Sequence, residues 1–144
     1  MTMTMDELMK VLDMQEDILQ FTHFTNADAW ELGTMILMEA RRRGAQVGIM
    51  IRRSNGEVVF QYCDNGITPH NVELMRRKSN SVLLTERSSL QLYMAATNAP
   101  ESVKQMVLDP KEYAMLGGGF PICVEEVGVV ATVAVSGIDR KSVV

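Results

Sequence analysis

Histidine and cysteine are scarce: His23 and His70, Cys63 and Cys123 are all the chain has of either. Neither histidine has another histidine or cysteine three or four positions on, so no short metal-binding signature is present. The cysteines form no Cys-x-x-Cys pair. A single disulfide is one reading of them; reduced core thiols in a cytosolic protein is the preferred one. Aromatic residues make up only 6%, too few for a base-stacking platform. Basic residues do not dominate either. Lys and Arg number 14 against 18 Asp and Glu, a net charge of −4, so a nucleic-acid partner is not expected. No apolar run approaches the roughly 18 residues of a membrane helix. Met1 to Lys10 carries Asp6 and Glu7 where a secretory signal would be basic and then apolar. A cytoplasmic location without membrane insertion is therefore expected. No linker, repeat or low-complexity tract divides the sequence. What is present, 144 residues at 47% apolar and 22% charged, suffices for one domain over residues 1–144 with its own core.

The patterning alternates between two periods. Thr4-Met5-Asp6-Glu7 fits a capping box ahead of Leu8, Leu12 and Leu19, which predicts a helix over residues 5–20. Thr25 or Asn26 caps a second helix whose Ala29, Leu32, Ile36 and Ala40 share a face, with Gly44 at its end. Period two follows. Val47, Ile49 and Ile51, then Asn55-Gly56, then Val58, Phe60 and Tyr62 read as a hairpin closed by a type I′ turn. Thr68-Pro69 opens a helix through Val72, Met75, Val82 and Leu83, with a break expected near Ser79 to Ser81. Further helical turns are expected from Ser88 to Ala96 and within 101–116. A second hairpin joins Phe120–Val124 to Val127–Ser136, with Val127, Val129, Val133 and Val135 on one face and Val130 and Ala134 on the other. The sum is a single α/β domain of the α+β kind, an antiparallel sheet with helices on its faces.

Two features point to chemistry. Gly117-Gly118-Gly119 lets the backbone approach a ligand, and its amides can form an anion nest; the plainer reading is a loop needing positive φ before a strand. Basic residues cluster at Arg41-Arg42-Arg43, Arg52-Arg53 and Arg76-Arg77-Lys78. Arg53, Arg77 and Lys78 are the candidates to converge on an anionic small molecule, with Phe120 as an apolar wall; the plainer reading is solvated faces. No nucleophile elbow or P-loop occurs.

Gly118-Gly119-Phe120-Pro121-Ile122, Val127-Gly128-Val129-Val130 and Val135-Ser136-Gly137 resemble the haem-degrading-domain family. His23 to Gly33, Ile51-Arg52-Arg53 and Arg76-Arg77-Lys78 resemble its small bacterial and fungal branch. The resemblance runs from about Asp6 to Gly137. It implies a profilin-like fold of about five antiparallel strands, the fifth near Leu19 to Phe24, assembled as a homo-oligomer. It implies haem as a candidate cofactor, with His23, His70, a cysteine or a methionine as the donors available to iron. No haem-ligand motif of the family carries over residue by residue. The alternative it implies is an oligomeric adaptor binding proteins in a chaperone or targeting pathway. Relatives continue beyond the Ser-Gly into an amphipathic helix, so this chain is expected to lack that helix and to leave an apolar sheet face bare.

Overall fold

The structure, a computed structural model, describes residues 20–139. The helix expected over 5–20 and the residues after Asp139 lie outside that range. The described elements run β1 (Gln20–Phe21), α1 (Asn26–Arg42), β2 (Ala45–Arg53), β3 (Val58–Cys63), α2 (Pro69–Thr85), α3 (Ser89–Asn98), α4 (Pro100–Lys104), β4 (Gly119–Val124) and β5 (Gly128–Asp139). The strands form one sheet in the order β1-β4-β5-β2-β3. Its β1–β4 pair is parallel and the rest antiparallel, so the sheet is mixed rather than purely antiparallel.

Local chemistry sets the ends of these elements. Thr25 caps α1 by accepting from the Asp28 amide at 3.2 Å, while the Asp28 carboxylate accepts from the Thr25 amide at 2.8 Å. Those bonds, with His23 3.1 Å away, hold the Asp28 carboxyl below its usual range. Gly44, at φ 76°, turns the chain from α1 into β2. Gly56, at φ 96°, closes the β2–β3 hairpin, but Asn55 does not share its positive φ, so the turn is not the expected type I′: the Gly56 amide donates to the Arg53 carbonyl at 2.8 Å, and glycine takes the left-handed last place of a longer loop.

The two faces of the sheet differ. Val47, Ile49 and Ile51 of β2, Phe120 and Ile122 of β4 and Ala131, Val133 and Val135 of β5 point to the α1 side, where they join Ala29, Leu32, Ile36 and Ala40 in the main core. The alternate residues face α2. There the core is small: Met50, Ala134 and Met75, surrounded by buried Lys78, Ser79, Thr132 and Ser136.

Two expectations change here. α2 is unbroken through Ser79 to Ser81, because Ser81 donates back to the Arg77 carbonyl at 3.2 Å and Thr85 to that of Ser81 at 2.8 Å. These hydroxyls satisfy themselves within the helix instead of ending it. Among the described residues the expected bare apolar face is also absent. Val127 lies in the turn, 71% exposed, and Val130 packs against the α1-side core. The second face presents Thr132, Ala134 and Ser136, and α2 covers it.

Candidate functional site

The seven residues singled out from the sequence do not converge on one pocket. Arg53 turns toward the start of α1, where its Nε donates to the Asn26 side chain and a terminal nitrogen to the Phe24 carbonyl, each at 2.9 Å. Its guanidinium also lies 5.7 Å from the Phe24 ring centre. Arg77 reaches over α2 to the Pro110 carbonyl at 3.1 Å. Lys78 is buried beneath the same helix, its amine donating to the Val135 carbonyl at 3.2 Å. Phe120 is a side chain of the main core, on the opposite face of the sheet from Lys78.

The glycine run serves the strand that follows it. Gly118 has φ 114°, and its carbonyl accepts from the Val135 amide at 2.7 Å. The Gly119 amide donates to the Ser89 hydroxyl at 2.7 Å. A Cβ on Gly119 would stand 3.0 Å from both Ser89 Oγ and Val82 Cγ2, so glycine here permits close packing of α2 and α3 on β4. Gly117 precedes these two in the loop.

Lys78 and Gly119 are nevertheless neighbours, with Lys78 Cβ 3.3 Å from that same point. The basic residues at 41–43 work locally. Arg41 donates to the Tyr62 hydroxyl at 2.9 Å and lies 3.5 Å from Asp64, and Arg42 and Arg43 both pair with Glu39.

One step along the chain from the sequence candidates, a cleft of about 270 Å³ opens between α2 and the β2–β3 ribbon. Met50, Val58 and Val72 give it apolar walls; Arg52, Arg76 and Glu73 supply charge. The two arginines are not equivalent. Arg76 is clamped by Glu73 at 2.6 Å and Glu112 at 2.8 Å, which hold its guanidinium firmly protonated. Arg52 makes one hydrogen bond, to the Asn80 side-chain oxygen at 2.8 Å, and among the described residues it has no carboxylate partner. It is half-buried, and most of its five donors remain available.

Strand alternation could have found this site. Arg52 shares a face with Gly48 and Met50, whereas Arg53 follows Ile51 to the other side. Helical spacing places Arg76 one turn from Val72, the other cleft residue on α2.

Among the described residues no three His, Cys, Asp or Glu side chains are grouped to hold a metal ion, and no helix is long and apolar enough to cross a membrane. Cys63 packs beside Met50 and Val72, and burial pushes its thiol up.

A mixed five-stranded sheet covered by one long helix on each face is the α+β architecture of the haem-degrading domains. The family model described as haem degrading protein HbpS-like matches residues 24–142, and the chain belongs to this HbpS-like family. A UPF0303 protein of Pseudomonas entomophila is 38% identical over 140 residues, covering 96% of this chain and 77% of the relative. The crystal structure of the Ybr137w protein superposes with a TM-score of 0.78 at 25% identity, covering 98% of this chain and 89% of the other. That of HbpS superposes at 0.64 with 24% identity, covering 82% and 79%. The last likeness is one of fold.

Proposed function

We propose that this chain is an oligomeric binding protein for a small molecule with an apolar body and carboxylate groups, a class that includes haem. The observation that carries this reading is the α2/β2–β3 cleft. Apolar walls from Met50, Val58 and Val72 stand beside a guanidinium, that of Arg52, which no carboxylate among the described residues neutralises. Such a combination recognises an acid group while sheltering the hydrocarbon attached to it. The family's description adds haem as the named example.

The residues present fit a porphyrin's acid groups and ring edge better than its iron. Arg52, and to a lesser extent the neutralised Arg76, would face the carboxylates. The only soft iron donor lining the cleft is the Met50 thioether. His23 bonds Asp28 away from the cleft, and His70 does not line it. Binding is therefore the activity proposed, with no step at the metal. At about 270 Å³ the cleft lies just below the roughly 300–1,000 Å³ of ligand pockets, so part of a porphyrin would project from it. Self-association completes the proposal: Trp30, Met35 and Met38 are more than 60% exposed on α1.

Titration with haemin and with metal-free protoporphyrin, followed by Soret absorbance and by emission of the lone tryptophan, tests the reading. Both ligands should bind stoichiometrically and with similar affinity. Arg52→Ala should weaken both by about tenfold or more, as loss of a charged hydrogen bond does, and Arg76→Ala by less. Spectra identical to the free ligands in the presence of equimolar protein would end it.

A further inference from the structure

We propose that Arg52, Ser79 and Thr132 form a carboxylate-binding subsite reached from the cleft past Arg52, the one of the three that lines it. This deepens the binding reading above and rests on it. The starting point is the way α2 lies along β5. The Asn71 side-chain amide donates to the Ser136 hydroxyl at 3.0 Å. One turn later Met75 packs with Ala134. Four helical residues advance about 6.0 Å and two strand residues roughly 6.6 Å, so the rungs stay nearly in step. The next rung sets Ser79 against Thr132.

Hydrogen bonding fails at that rung; Arg77 Nε is the other buried side-chain atom without a partner among the described residues. Ser79 and Thr132 are both fully buried, and neither hydroxyl has a partner. Buried hydroxyls are normally satisfied, so two orphans on one rung mark a place for an oxygen to which both can donate. Arg52 supplies the charge. It lies opposite Thr132 in the β2–β5 register and therefore points to the same face. Its guanidinium reaches Asn80, the residue after Ser79, at 2.8 Å. The side chain thus runs from the Thr132 rung past Ser79, and it also lines the cleft.

Two hydroxyl donors and a guanidinium without a counter-ion match the acceptor-only oxygens of a carboxylate. A water would satisfy the hydroxyls and leave the charge of Arg52 uncompensated. Arg52 closes over the pair through its bond to Asn80. Rotation away from Asn80 admits the acid group and then clamps it.

The test compares metal-free protoporphyrin, as the dicarboxylate and as its dimethyl ester, by quenching of Trp30 emission. Ser79→Ala and Thr132→Val should each weaken the dicarboxylate about tenfold, the loss of one hydrogen bond to a charged group, and leave ester binding unchanged. Thr132→Ser, which restores the hydroxyl, should retain wild-type affinity. Thermal melts of the same variants separate binding from folding. Wild-type affinity for the dicarboxylate in both hydroxyl deletions overturns the subsite. If their melting temperatures fall as well, the hydroxyls hold a structural water only. Equal wild-type affinity for acid and ester overturns it too. A wild-type chain that binds neither compound removes the cleft as a binding site altogether.

Discussion

Lys78 places an amine between α2 and β5, 4% exposed, with the Val135 carbonyl as its hydrogen-bond partner. Burial alone pushes this amine down to about 8 from an ordinary value of 10.5. The folded chain therefore holds the proton more weakly than the unfolded chain. Below pH 8 both forms are protonated, and the native state carries the full cost of a buried cation. Between about pH 8 and 10.5 the native amine is neutral while the unfolded one is still charged, so stability rises with pH across that window. Lys78→Met should raise stability at pH 7 by about 1–3 kcal/mol, as apolar replacement of buried charges often does, and should flatten the rise above pH 8. Urea melts at pH 7 and 10 check both points. A variant weaker than wild type at pH 7, with the alkaline rise intact, would mean that the amine is better solvated than its burial implies.

At the scale of elements, α1 sits on the β2–β3 hairpin through a glycine. Gly33 faces the Phe60 ring so closely that an added Cβ would overlap it. Gly33→Ala should cost about 1–3 kcal/mol by overpacking, and Phe60→Leu in the same chain should recover part of the loss. Chemical denaturation of the single and double variants measures the coupling, and additive effects would show that the helix shifts aside freely. Much of this layer was legible in the sequence. Thr25 with Asp28 and Gly44 are local signals with local mechanisms, and each lies where its chemistry indicates; Asn55-Gly56 marks the hairpin but not its turn type, since only Gly56 has positive φ. The run from Ser79 to Ser81 was not, because polar residues usually mark surfaces or helix ends. Here they are buried against a sheet face of small and polar residues, and only the tertiary contact reveals why. The cleft was half legible. The arginine pairs stand out, but choosing Arg52 and Arg76 over Arg53 and Arg77 requires knowing which faces of β2 and α2 border the cleft.

For the molecule as a whole, the unlike faces of the sheet move the predicted association surface to α1. The second face needs no cover beyond α2, whereas Trp30 and Met38, each 62% exposed, and Met35 at 64% leave apolar surface on the outside of α1. Sedimentation equilibrium at low micromolar concentration should give a mass well above the 16.1 kDa of one chain. Trp30→Glu with Met38→Glu should return it to one chain without loss of helicity. A wild-type sample that stays monomeric would leave these side chains as plain surface. The parallel pairing of β1 with β4 was beyond reach of any local pattern, since it involves two residues, Gln20 and Phe21, and partners near the far end of the fold, Cys123 and Val124.

That same pairing orders the folding reaction. The β2–β3 hairpin closes a short loop, and its contacts form at little entropic cost. The contact between β1 and β4 closes a loop containing nearly every other element, and little is gained in return, because the strand is two residues long. By the same measure the β4–β5 hairpin is as local as β2–β3, so the two hairpins are expected to form first and to join along β2 and β5, with β1 laid down last. When the native chain breathes, its first backbone bonds to open are those that tie Gln20 and Phe21 to the edge of β4, including the one from the Glu125 amide to the Phe21 carbonyl.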